Sequence, residues 1–222
     1  MPASDAAPAL HEWPGGLTWL ARPDEPMQRA SHALGDGDDV WLVDPLDADG
    51  IDATIDGLGE VAGVVVLLDR HTRDAAAFAD RHDVAVHVPE LLTDAADGLG
   101  APVERFADEL GDTGYRVRPV VANRFWREAA LVGDDGGSLI VPEALGTNPF
   151  VRAPGEAVGV HPVLRPVPPR RQLGDLAPDR LLVGHGAPVL DGAAPAISDA
   201  LAGARRRAPA AYWGTLRALL GR

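Results

Sequence analysis

The stretch Gly63–His82, GVVVLLDRHTRDAAAFADRH, constrains this chain more than any other. Its apolar run from Val64 to Leu68, bounded by Gly63 and Asp69, has the pattern of a buried strand. The next residues are polar, and helical periodicity follows, so the strand delivers a loop into a helix. Asp69, His71, Arg73 and Asp74 fall at the strand's C-terminal end. Ligand sites of layered α/β proteins are commonly built at such ends. The helix is expected over 72–81, with Thr72 as its N-cap and Asp74 in the first turn, where the dipole favours an acid.

Around this stretch the chain reads in two halves. Residues 1–15 are polar and Pro/Ala-rich and are expected to be a loose lead-in; 16–222 are expected to form one domain. Strands are expected at 17–22, 27–34, 40–43, 61–68 and 84–88. A short helix is expected at 50–58, with Ile51, Ile55 and Leu58 on one face. Alternation of strand and helix over 40–90 implies a parallel sheet. A doubly wound nucleotide-binding fold would share that alternation, but no Gly-rich phosphate loop follows any of these strands.

The second half has strands at 117–122, 128–132 and 138–141 with no helix between them, which implies antiparallel pairing around a turn at 133–137. Prolines crowd 162–169, so that segment reads as loop or extended chain. A last strand at 181–183 runs into Gly184-His185-Gly186. Two helices are expected to close the chain, one lined by Ile197, Leu201 and Ala204, the other by Tyr212, Leu216 and Leu219. The whole suits a two-sheet sandwich flanked by helices.

Composition narrows the chemistry. All 20 basic residues are Arg, most of the 33 acidic residues are Asp, and the net charge is -13. The acid is spread along the chain, which fits adaptation to high intracellular salt, as in haloarchaea. Nucleic acid is not expected as a partner, because phosphate binding rests on basic groups; Arg205-Arg206-Arg207 reads as a solvated helix end. There is no Cys, so any metal must sit on His, Asp, Glu and water. The N-terminus has no signal-peptide pattern, and the longest apolar run, 61–68, is too short to span a bilayer. The expected location is the cytoplasm, and the expected partner is a small molecule. His11, His32, His82, His87 and His161 read as surface or packing residues, and the five Trp as core or sandwich-edge anchors.

Four segments carry a resemblance: VWLVDP at 40–45, the 64–74 loop, SLIVPEALG at 138–146, and LLVGHGAPV around His185. In this order and spacing they resemble the metallo-β-lactamase superfamily. The resemblance implies a four-layer αββα sandwich of the α/β (α+β) class and a hydrolase-like metal site. Carried over residue by residue, the first metal's ligands fall on Asp69, His71 and Asn123. The second metal's fall on Arg73, Asp74 and His185, with Glu143 as the bridging carboxylate and Asp44 as a structural acid. Only part of the set suits a metal. The resemblance thus implies a site reduced to one divalent metal (zinc, iron or manganese) or none, with Asp69, His71, Glu143 and His185 as ligands and Asp74 as base. Arg73, standing where a carboxylate belongs, is expected to bond Asp69, Asp74 or Glu143. The alternative is a non-catalytic member of the same fold that binds a small molecule or partner.

Overall fold

The computed structural model describes residues 7–134 and 136–220, with side chains described as far as residue 214. The first sheet is built from β1 (Ala9–Trp13), β2 (Gly16–Leu20), β3 (Ala30–Asp36), β4 (Asp39–Val43), β5 (Glu60–Val65), β6 (Val86–Pro89) and β7 (Val103–Phe106), side by side in chain order. β1 to β4 form an antiparallel meander; β4 to β7 run parallel. The crossovers that parallel pairing requires carry α1 (Ile51–Asp56) and α2 (Ala75–His82).

The second sheet holds β8 (Tyr115–Asn123), β9 (Trp126–Gly133) and β10 (Ser138–Val141). After it come a two-stranded ribbon, β11 (Leu145–Gly146) with β12 (Gly159–Val160), a short helix α3 (Arg170–Leu173), and β13 (Arg180–Val183). β13 joins β10 in parallel, giving the order β13-β10-β9-β8. The long helix α4 (Ala193–Leu220) closes the chain.

Side-chain alternation along the strands creates the layers. Val64 and Val66 turn to one face of the first sheet and pack with Ile51, Ile55 and Phe78 of α1 and α2. Val65 and Leu67 turn to the other face and meet Ala129, Leu131, Ile140 and Leu182 of the second sheet. That sheet's far face, with Leu139, Val141, Leu181 and Val183, is covered by Ile197, Ala200, Leu201 and Ala204 of α4. The result is helix, sheet, sheet, helix.

Several expectations need correction. The segment read as a lead-in holds β1 from Ala9 on; residues 1–6 lie outside the described residues. β1 is an edge strand carrying His11 and Glu12, so its apolar signal is weak. β7 was not foreseen, because it presents Glu104 and Arg105 outward. α2 begins at Ala75 with Asp74, not Thr72, at the N-cap, and the Asp74 side chain makes no cap bond. The two closing helices are one helix of 28 residues that passes through Pro209. The described part of its sequence is rich in Ala, the best helix former, which outweighs one proline. Trp13, Trp19, Trp41 and Trp126 are buried as expected, but Trp213 is 58% exposed. Among the described residues no helix, α4 included, is long and apolar enough to cross a membrane.

Candidate metal centre

Both sheets end at the same edge of the sandwich, and the site lies there. Asp44 follows β4 in a left-handed conformation, φ 45°, which non-glycine residues rarely adopt. This turns its carboxylate back into the sheet. One oxygen accepts the Leu67 N–H at 3.0 Å, and the other lies 3.2 Å from Nδ1 of His71. Burial holds the Asp44 carboxyl up at about 6, against the pull of Arg73, so it is ionised at neutral pH. An ionised partner fixes the His71 proton on Nδ1 and leaves Nε2 with its lone pair free.

His185 sits between two glycines for a steric reason. A Cβ on Gly184 would lie 2.2 Å from the Pro142 carbonyl oxygen. Gly186, at φ +99°, would bring one to 2.2 Å from Thr147 Oγ1. The glycines let this loop lie against the start of β3, where Ala30 N–H donates to Gly184 O and Gly186 N–H to Gln28 O. His185 Nδ1 then reaches Met27 O at 3.1 Å, so its proton is also on Nδ1. Its Nε2 is buried and has no hydrogen-bond partner among the described residues.

Glu143 follows β10. Its N–H and that of Ala144 both donate to Oε1 of Glu128 at 2.8 Å. The other oxygen of Glu128 accepts from Trp126 Nε1 at 2.9 Å. A fully buried carboxylate on β9 thereby fixes both the Glu143 loop and the Trp126 ring. Arg70 lies over that ring, 4.5 Å from its centroid, and donates to Oε2 of Glu143 and to Asp69.

His71, Glu143 and His185 are all buried and each offers a ligand atom within 4.8 Å of the others'. Burial, reinforced by Arg73, pushes both imidazoles down, His185 to about 3, so both are neutral at physiological pH. Neutral imidazoles with a second nitrogen held by a carboxylate or carbonyl are the form that binds metal.

No protein-family model matches the sequence, and comparison with curated proteins finds no match. Solved structures do match. The DIM-1 metallo-β-lactamase exposed to ceftazidime is 12% identical, covers 92% of this chain and 97% of its own, and superposes with a TM-score of 0.58. The chain has the metallo-β-lactamase fold. The metallo-β-lactamase from Hirschia baltica, at 12% identity, covers 88% of this chain and 97% of its own with a TM-score of 0.55. FIM-1 from Pseudomonas aeruginosa in its mono-zinc form, at 9% identity, covers 91% and 98% with a TM-score of 0.55. Identities this low speak for the fold alone.

Within the metallo-β-lactamase fold the sequence-derived site divides. His71, Glu143 and His185 come together, from segments more than 40 residues apart, with Asp44 behind His71. Asp69 is held elsewhere: its main chain and carboxylate pair with Arg127 of β9, stitching the loop to the second sheet. Asp74 accepts the Asp47 N–H at 2.8 Å and lies outside the cluster. Asn123 caps the hairpin turn between β8 and β9 by accepting from Phe125 and Trp126 N–H groups.

Among the described residues Arg73 bonds no carboxylate, contrary to expectation. It donates to three main-chain oxygens, of Ala30 at 2.6 Å, Asp44 at 2.8 Å and Gly184 at 3.1 Å. Its own φ of 41° shows the backbone bent to place it there. The guanidinium that bonds Glu143 belongs to Arg70, which no sequence pattern marks. Glu128 was not singled out either, and Trp126 was expected only as a core or sandwich-edge anchor. His161, expected as a surface or packing residue, lies with Nε2 3.9 Å from Glu143 and its ring edge-on to Trp126. No spacing signal marks it, since it arrives from the proline-rich segment.

Proposed function

We propose that this protein is a metal-assisted hydrolase whose centre is reduced to one divalent cation, held by His71, Glu143 and His185. One observation carries the reading: the Nε2 of His185 is buried without a partner, beside two further ligand atoms within 4.8 Å. A buried polar atom left unpaired costs about 1–3 kcal/mol, which a bound cation would recover. Two imidazoles and one carboxylate are a donor set used by catalytic zinc and by non-haem iron.

The second metal position is closed. By the resemblance Arg73 falls where that cation's carboxylate ligand would stand, and three carbonyl oxygens hold its permanent charge. Bound at the first position, the cation would polarise a scissile carbonyl or phosphoryl group and lower the pKa of its water. Around it Asp44 and Met27 keep both imidazoles in the ligating tautomer. His161 accepts the Val163 N–H on Nδ1, so its Nε2–H points to the Glu143 side and can donate to a developing oxyanion.

A second reading, a metal-free binding protein of the same fold, draws on the Arg70–Glu143 ion pair, which already neutralises the third ligand. Cobalt(II) titration followed by visible absorbance separates the two. Saturable binding that disappears in His185→Ala supports the hydrolase reading; absence of binding in the unaltered protein supports the other.

A further inference from the structure

We propose that Arg70 gates this centre: its guanidinium and the cation compete for the Glu143 carboxylate, and the displaced guanidinium binds an oxyanion of the substrate. The proposal rests on the single-metal reading above. Glu143 is the one carboxylate in the converging cluster, and Arg70 already bonds it. A divalent cation and a guanidinium on the same carboxylate repel each other, so occupancy by one disfavours the other.

The surroundings allow Arg70 to let go of Glu143 without losing its place. Its face stays on Trp126, 4.5 Å from the centroid, and Nη1 keeps Asp69 at 3.2 Å. Trp126 is fixed by Glu128, the same carboxylate that fixes the Glu143 loop. Among the described residues Glu143 is the one acceptor that Nη2 has, so once freed it is left at the rim of the centre for another acceptor. Arg70 is 42% exposed, so the rim is open to solvent on that side.

The neighbouring cations are committed. Arg29 holds Glu25 through two bonds of 2.7 Å, and Arg73 is spent on main-chain oxygens. All three guanidinium groups act on His71, but Glu25, Asp69, Glu143 and Asp44 stand among them, so an oxyanion would be held by the freed Arg70 fork and not by a net positive field. A planar fork against an aromatic face matches a carboxylate or a phosphate monoester.

The test is cobalt(II) affinity for the unaltered protein, Arg70→Ala and His185→Ala, each with and without acetate or methyl phosphate. Arg70→Gln keeps the side-chain bulk if the Ala variant does not fold. Removing the competitor should tighten cobalt binding by about tenfold, the worth of one charge-assisted hydrogen bond. By linkage, the anion should tighten cobalt binding to the unaltered protein and leave Arg70→Ala unaffected. A larger effect from acetate marks a carboxylate substrate, and from methyl phosphate a phosphate one. Equal cobalt affinities in the unaltered and Arg70→Ala proteins overturn the gate and leave the metal reading standing. Unchanged binding in His185→Ala overturns the metal reading, and the gate with it. An anion effect that persists in Arg70→Ala places the anion on the metal and overturns the substrate assignment.

Discussion

The imidazole of His71 meets the carboxylate of Asp44 at 3.2 Å, and that contact sets which ring nitrogen faces the centre. Asp44→Asn keeps the shape and can still accept the Leu67 N–H. It then presents an amide N–H to His71, which moves the imidazole proton to Nε2 and removes the ligating lone pair. Metal affinity should fall about 10–100-fold. Competition against a chromophoric chelator measures it; unchanged affinity would show that His71 does not ligate through Nε2.

A second buried charge system lies away from the centre. Glu156 and Arg165 have fully buried side chains and bond at 2.5 Å, and Arg207 of α4 adds a bond of 2.6 Å. Glu156→Ala would leave the Arg165 cation uncompensated, at an expected cost of about 3–5 kcal/mol. Urea unfolding gives the value, and a loss under about 1 kcal/mol would show that the network tolerates the gap.

His32 should make stability depend on pH. Burial, aided by Arg73 and opposed by Asp44, holds its pKa at about 3; Thr18 Oγ1 lies 2.9 Å from Nδ1. The unfolded chain protonates this residue near pH ~6.5, well before the folded chain does. Its contribution is therefore complete above that pH and is lost progressively as pH falls toward 3. Between pH ~6.5 and ~5 the loss should be about 2 kcal/mol. With metal removed, His32→Gln should show a pH slope shallower by that amount. Identical slopes would place the His32 ring in solvent.

The net charge of -13 predicts a salt effect. Exposed pairs such as Arg81–Asp52 and Arg118–Asp175 are weak, so screening of self-repulsion dominates. Molar salt should raise the melting temperature well beyond its value at low ionic strength. A melting temperature flat above about 0.1 M, where the Debye length is already about 10 Å, would remove the salt-adaptation reading.

The layers were legible because the strands that carry them are continuous apolar runs. Val61–Leu68, Ser138–Val141 and Leu181–Val183 are buried on both faces, and each hands a polar residue to the same edge of the sandwich. His71, Glu143 and His185, which the family resemblance picked out, follow these runs and lie together at that edge. The partners of Arg73 were not legible, because main-chain oxygens of Ala30 and Gly184 leave no mark in the sequence. Glu128 stands in the sequence only as the first residue of an expected strand. Its burial depends on three N–H donors from two elements, a relation only the folded chain displays.

Metal content per chain tests the central claim most directly. Protein equilibrated with excess zinc, desalted and subjected to elemental analysis should hold one equivalent, and His185→Ala should hold none. Two equivalents would mean that Arg73 does not close the second position, and none would mean that His71, Glu143 and His185 do not hold a cation.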